Sequence, residues 1–94
     1  MSKQLTWKVV ADETTTHTVT YTLSRFTGRM LVTVNGDEYR LSAGFLSLHA
    51  ARRETFRLVG EDGEAEQAIL VVDKHGNATL LFRAKMVEPV ASSN

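Results

Sequence analysis

Residues 30–41, MLVTVNGDEYRL, decide the fold of this 94-residue chain. Apolar side chains alternate along the first five residues, Asn35-Gly36 supplies two positions that tolerate positive φ, and Tyr39 and Leu41 resume the alternation. This pattern predicts a β-hairpin. Because a single hairpin cannot cover its own apolar face, the same stretch predicts further strands that pack against it.

Further strands are predicted on both sides of this hairpin. Residues 16–23 alternate threonine with His17 and apolar side chains, which indicates one wet face and one packed face. Residues 67–73 contain an unbroken apolar run, typical of a strand that is central in its sheet or covered on both faces. Residues 74–77, Lys-His-Gly-Asn, predict a second hairpin turn, and the alternation over 78–87 predicts one strand after it.

Three less regular segments complete the count. A first strand is expected over 5–9, and short strands are expected over 45–49 and 55–59. The chain thus has seven or eight strands at short spacing and no convincing helix. Such a chain buries its apolar faces by packing sheet on sheet or by closing a barrel.

We therefore predict an all-β fold, an antiparallel β-sandwich of about seven to eight strands built mainly from hairpins. A small β-barrel is the alternative, because strand count and period do not separate the two. The length fits a single domain, which is expected over 1–88. Residues 89–94, which begin with Pro89, are expected to form a flexible C-terminal tail.

Composition argues against several classes of function. The 11 basic and 11 acidic residues cancel, so no long-range field draws the protein to nucleic acid or to an anionic membrane. No cysteine is present, which excludes disulfides, thiol catalysis and thiolate metal sites. The apolar pair Val9-Val10 is too short for a signal-peptide core or a membrane span. A cytoplasmic protein is expected.

Motifs for catalysis and for cofactors are missing from the sequence. No G-x-S-x-G, G-x-x-x-x-G-K-[ST] or G-x-G-x-x-G pattern occurs. The three histidines, His17, His49 and His75, lie on separate segments without the spacing of metal ligands. We expect no enzyme activity, no cofactor and no metal site.

A group of arginines is the candidate binding surface. Arg52, Arg53 and Arg57 lie close together in sequence, with Arg40 on the preceding hairpin, and could form a basic patch for an anionic ligand or an acidic protein surface. Arg52, Arg53 and Arg57 are the candidate binding residues. The alternative is that solvent and ion pairs with Glu54, Glu61 or Asp62 neutralise them.

The order of several residues resembles one repeat of the Fas apoptotic inhibitory molecule family. The similarity runs through Trp7-Lys8-Val9, His17 before an alternating strand, Gly28-Arg29 followed by Val32-Thr33-Val34-Asn35-Gly36, then Phe45 and Glu54-Thr55-Phe56. The resemblance implies a non-catalytic β-sandwich associated with survival signalling and with protection against protein aggregation. Family members usually carry two such sandwiches in tandem, and the resemblance assigns no catalytic residue.

Three functions follow as hypotheses. The first is a non-enzymatic interaction module that binds a protein, a peptide or a second copy of itself through a sheet edge or loop surface. The second is a carrier that encloses a small apolar ligand between the sheets; its cavity would be lined by Tyr21, Phe56, Leu70 and Phe82. The third is an enzyme in which His17 or His49 shares an exposed cleft with an acid.

Overall fold

The computed structural model describes residues 2–24, 29–43, 52–60 and 63–93, which form nine β-strands and no helix. The strands are β1 (Ser2–Val10), β2 (Thr16–Ser24), β3 (Arg29–Val34), β4 (Asp37–Ala43), β5 (Arg52–Val59), β6 (Ala65–Val72), β7 (Ala78–Phe82), β8 (Lys85–Val87) and β9 (Ala91–Ser93). The strand predicted over 45–49 lies outside the described residues.

The strands form two antiparallel sheets. One sheet has the order β4-β3-β2-β1-β9 and the other has the order β5-β6-β7-β8. Within the described ranges the sheets do not close into a barrel. The predicted antiparallel β-sandwich is therefore confirmed, and the alternative of a barrel is not what the chain adopts.

The core lies between the two sheets and is supplied by alternate residues of the longer strands. In β2 the buried positions are His17, Val19, Tyr21 and Leu23, as the alternation with threonine predicts. Among the described residues, the buried apolar cluster consists of Trp7, Val9, Val19, Tyr21, Leu23, Met30, Val32, Val34, Phe56, Leu58, Ala68, Leu70, Val72, Leu80 and Phe82. Burial of these side chains is the main force that holds sheet on sheet.

Both predicted hairpin turns are present. Asn35 and Gly36 have φ values of 50° and 93° and join β3 to β4, as a two-residue turn with positive φ at both positions requires. The turn at 74–77 joins β6 to β7, with Gly76 at φ 84°. Strand β6 lies between β5 and β7, which confirms that the apolar run at 67–73 marks a central strand.

The single strand predicted over 78–87 is wrong, because the chain reverses inside it. Arg83 and Ala84 both have positive φ, 53° and 62°, and form a two-residue turn between β7 and β8. The side chain of Met86 is consequently 64% exposed. Neither turn residue is a glycine or asparagine, so the sequence carried no signal of this reversal.

The segment predicted as a flexible tail contains a short strand. Residues Ala91–Ser93 form β9, which pairs with β1 at the edge of the five-stranded sheet. The N–H of Val90 also donates to the carbonyl oxygen of Thr6 over 2.8 Å. These backbone bonds fix the chain after Pro89 along β1.

Candidate functional site

Strand β5 forms one edge of the four-stranded sheet. It pairs with β6 on one side, and no strand among the described residues pairs with its other side. The side chains of Phe56 and Leu58 are buried between the sheets, whereas Arg53, Thr55 and Arg57 are exposed on the outer face. We call this open side of β5 the β5 edge.

The turn after β5 indicates which backbone groups the β5 edge presents. The N–H of Gly60 donates to the carbonyl oxygen of Glu64 over 2.8 Å, and bonded pairs then alternate along an antiparallel ladder. By this alternation the backbone groups of residues 54, 56 and 58 bond to β6. Those of Arg53, Thr55 and Arg57 point away from the sheet, where a further strand would pair.

The turn between β6 and β7 gives the same alternation independently. The N–H of Asp73 donates to the carbonyl oxygen of Asn77 over 2.9 Å, so residues 69 and 71 of β6 bond to β7. The backbone groups of residues 66, 68 and 70 therefore bond to β5. Their partners in the register are residues 58, 56 and 54. The two turns therefore agree on which groups remain at the β5 edge.

Two of the three arginines predicted from the sequence lie exposed at this edge. Arg53 and Arg57 are four residues apart on the same face of β5, and neither makes an ion pair within the described part of the chain. Arg52 begins β5, but its side chain lies outside the described residues. Glu61 and Asp62, two of the expected partners, lie outside them as well.

Two further residues of that prediction do not lie on the outer face of β5: Arg40 of the patch, and Glu54, an expected ion-pair partner. Arg40 faces Leu31 in the ladder and so lies on the outer face of the opposite sheet. Glu54 alternates with Arg53, so its half-buried side chain points to the inner face. The exposed basic surface of β5 is therefore narrower than the sequence suggests.

Two aromatic rings lie beside the β5 edge, where the two sheets meet. The ring of Tyr39 on β4 packs edge-on against Phe56, with ring centroids 5.4 Å apart. Phe56 is buried, but Tyr39 is 45% exposed. An apolar surface therefore borders the β5 edge on its inner side, and the sequence did not indicate that Tyr39 would be part of it.

A small polar cleft lies at the end of the sandwich where β5 ends. It measures about 80 Å³ and is lined by Ala11, Asp12, His17, Leu58, Gly60, Glu64, Glu66 and Arg83. This volume has room for only a few water molecules and is smaller than the pockets that usually bind substrates. The cleft does bring a histidine close to acids, as the enzyme hypothesis requires.

Arg83 joins three elements across this cleft. Its Nε and Nη2 donate to the two carboxylate oxygens of Glu66 over 2.9 and 2.8 Å, and Nη2 also donates to the carbonyl oxygen of Ala11 over 2.9 Å. The hydrogen bonds to Glu66 raise the pKa of the Arg83 guanidinium further above its ordinary value. Each carboxylate oxygen of Glu66 thus already accepts one hydrogen bond from Arg83.

The tautomer of the neutral His17 ring follows from its partner Asn35. The backbone N–H of Thr18 donates to Oδ1 of Asn35 over 2.8 Å, so Nδ2 of the same amide, 2.9 Å from Nδ1 of His17, is a donor. Nδ1 of His17 is then an acceptor, and the ring proton lies on Nε2. A base or a metal ligand needs a free lone pair on Nε2, so this arrangement disfavours both roles.

The other histidines add nothing to this cleft. His75 is exposed in the turn between β6 and β7, and His49 lies outside the described residues. No group of three or more histidine, aspartate or glutamate side chains in the described chain is arranged to hold a metal ion.

The four residues proposed to line a carrier cavity are packed in the core. Tyr21 and Leu70 are fully buried, and Phe56 and Phe82 are each 8% exposed. None of them lines the polar cleft or the shallow surface groove between β1 and β9. In the described parts of the two sheets, all four side chains belong to the buried apolar cluster and pack against other core side chains.

Comparisons with protein-family models, curated proteins and solved structures give no match. None of the described residues belongs to a helix that is long and apolar enough to cross a membrane.

Proposed function

We propose that the chain is a non-enzymatic interaction module that pairs the β5 edge with an extended, acidic segment of a protein partner. The observation that carries this proposal is the open eight-residue strand β5, on which Arg53 and Arg57 are exposed without an acidic partner among the described residues. Added strands gain affinity from backbone hydrogen bonds and specificity from alternate side chains.

The same two arginines favour a different protein over a second copy as the partner. In a symmetric antiparallel pair of β5 strands centred on Thr55, Arg53 of each copy would lie opposite Arg57 of the other. Like charges directly opposite each other destabilise a strand pair. An acidic strand in that position replaces this repulsion with two attractive cross-strand pairs.

Three further points support a binding role. The carrier cavity is disfavoured by the packing of Tyr21, Phe56, Leu70 and Phe82, and His17 carries its proton on the nitrogen that a base would need free. The resemblance to the Fas apoptotic inhibitory molecule family implies a non-catalytic sandwich. A cytoplasmic location is part of the proposal, since the chain has no cysteine that an oxidising compartment would pair.

The test uses two capped peptides, (Glu-Thr)3-Glu and (Lys-Thr)3-Lys, added to the 15N-labelled protein. We expect the acidic peptide to shift the backbone amide signals of residues 53–59 and the basic peptide to leave them unchanged. The double variant Arg53→Glu/Arg57→Glu should lose binding of the acidic peptide by about tenfold or more, since two attractive pairs become repulsive. The control Lys8→Glu/Lys74→Glu carries the same change in net charge at exposed positions away from β5.

Backbone pairing is tested separately by Thr55→Pro. Because the N–H of Thr55 points away from β6, proline removes a donor that only an added strand would use. This variant should fold and should no longer bind the acidic peptide. Unchanged binding of the acidic peptide in Arg53→Glu/Arg57→Glu, or in a folded Thr55→Pro variant, would overturn the proposal.

A further inference from the structure

The β5 edge has two chemically different sides. The inference drawn from them rests on the function proposed above. On the outer face lie the exposed side chains of Arg53, Thr55 and Arg57. On the inner side lie Phe56 and the exposed part of the Tyr39 ring. A strand that pairs with β5 alternates its side chains between these two surfaces.

We infer that the partner segment combines two acidic residues four positions apart with an apolar residue next to one of them. In an antiparallel pair, the partner residues opposite Arg57 and Arg53 lie on the outer face, where acidic side chains complete two ion pairs. The residue opposite Phe56 lies on the inner face, where its side chain covers the Tyr39 ring.

The partner position opposite Glu54 is also specified. Glu54 is half-buried on the inner face and makes no ion pair in the described part of the chain. A basic residue opposite Glu54 would therefore be favoured. Read from its N-terminus, an antiparallel partner has the pattern acidic, apolar, any residue, basic, acidic, opposite positions 57 to 53 of β5.

The contact between the apolar partner residue and the Tyr39 ring, called here the inner contact, distinguishes this segment from one that is only acidic. Tyr39 is 45% exposed because β4 is itself an edge strand. Extending the four-stranded sheet by one strand places side chains over this ring and removes both surfaces from water. Burial of one valine side chain in this way strengthens binding by about tenfold.

The experiment compares two capped peptides, Thr-Glu-Val-Thr-Lys-Glu-Thr and the same sequence with serine in place of valine. Binding is measured by amide shifts and titration for the natural chain, Tyr39→Ser, Tyr39→Phe and Arg53→Glu/Arg57→Glu. We expect the serine peptide to bind the natural chain about tenfold more weakly than the valine peptide. Tyr39→Ser should remove this difference, and Tyr39→Phe, which keeps the ring, should preserve it.

Two outcomes separate this inference from the proposed function. If both peptides bind the natural chain equally and Arg53→Glu/Arg57→Glu weakens both, the pairing surface stands and the inner contact is overturned. If neither peptide shifts the amide signals of β5, or if the arginine variant binds as the natural chain does, the proposed function itself fails. Circular dichroism of the Tyr39 variants confirms that they remain folded.

Discussion

Nδ2 of Asn35 donates a hydrogen bond of 2.9 Å to Nδ1 of His17, an imidazole that is only 3% exposed. The same asparagine occupies the first position of the turn between β3 and β4, with φ 50°. One side chain therefore joins this turn to the start of β2. It also sets the tautomer of the one buried histidine among the described residues.

Asn35→Gly should destabilise the protein without disturbing the turn itself. Glycine adopts positive φ freely, so the expected loss of about 1–2 kcal/mol in the free energy of unfolding reflects the hydrogen bonds to Thr18 and His17. Urea denaturation measures this loss. Long-range 1H–15N correlation of the natural chain should show the His17 proton on Nε2; a proton on Nδ1 of the neutral ring would contradict the assigned tautomer.

Gly76→Ala should cost far more than Gly63→Ala. Both glycines have φ 84°, so an added Cβ costs about 1 kcal/mol at either position. At Gly76 the new Cβ would also lie 2.6 Å from Cδ2 of Leu23, whereas nothing lies within 4 Å at Gly63. Leu23 is 1% exposed and has little room to move.

The additional loss at Gly76 should be about 1–3 kcal/mol, as for other overpacked cores. The difference between the two variants in urea denaturation isolates this contact, because the backbone cost is common to both. Equal destabilisation would show that Leu23 moves aside freely.

The carboxylate of Asp73 should make the stability of the protein depend on pH in the acid range. Its Oδ1 accepts from the N–H groups of Asn77 and His75 over 3.0 and 2.8 Å. The bond from Asn77 is the largest of the effects that lower the pKa of this carboxyl below its ordinary value of 3.8. The folded-state pKa of Asp73 is thus below its pKa in the unfolded chain. The stabilisation by Asp73 is therefore complete above about pH 4–5 and is lost as the pH falls through the folded-state pKa.

Asp73→Asn keeps a side-chain oxygen but removes the charge. We expect the variant to unfold at lower urea concentration than the natural chain at pH 7, and the difference to shrink on acidification below pH 4. A difference that stays constant from pH 7 to pH 2 would exclude the carboxylate charge as its cause.

The strands and their inner faces could be predicted because period-two alternation reports directly on burial. Residues 30–34 and 16–23 are the clearest cases, since buried and half-buried or exposed positions alternate along both of them. The reversal at Arg83-Ala84 could not be predicted in this way. Its positive φ values accompany contacts of the Arg83 side chain with Glu66 and with the backbone of Ala11, and these contacts span 17 and 72 positions in sequence.

The candidate site was predicted only in part, for a related reason. Clustering in sequence identified Arg53 and Arg57, but strand alternation turns Glu54 inward, and Arg40 lies on the other sheet. The contribution of Tyr39 depends on which strands become edges, and this is decided by the pairing of whole strands rather than by local pattern. Edge position has no local sequence signature beyond charged outward residues.

The arginines of β5 should also keep the edge from pairing with other copies of the chain. Arg53→Thr/Arg57→Thr keeps the outward backbone groups of β5, which pair with no other described strand, and replaces the repelling charges with residues of high β-propensity. We expect this variant to show a larger mass in light scattering than the natural chain at the same concentration. Lys8→Thr/Lys74→Thr, which removes the same charge from exposed positions away from β5, should leave the mass unchanged. An unchanged mass in Arg53→Thr/Arg57→Thr would show that these charges are not what prevents β5 from pairing with itself.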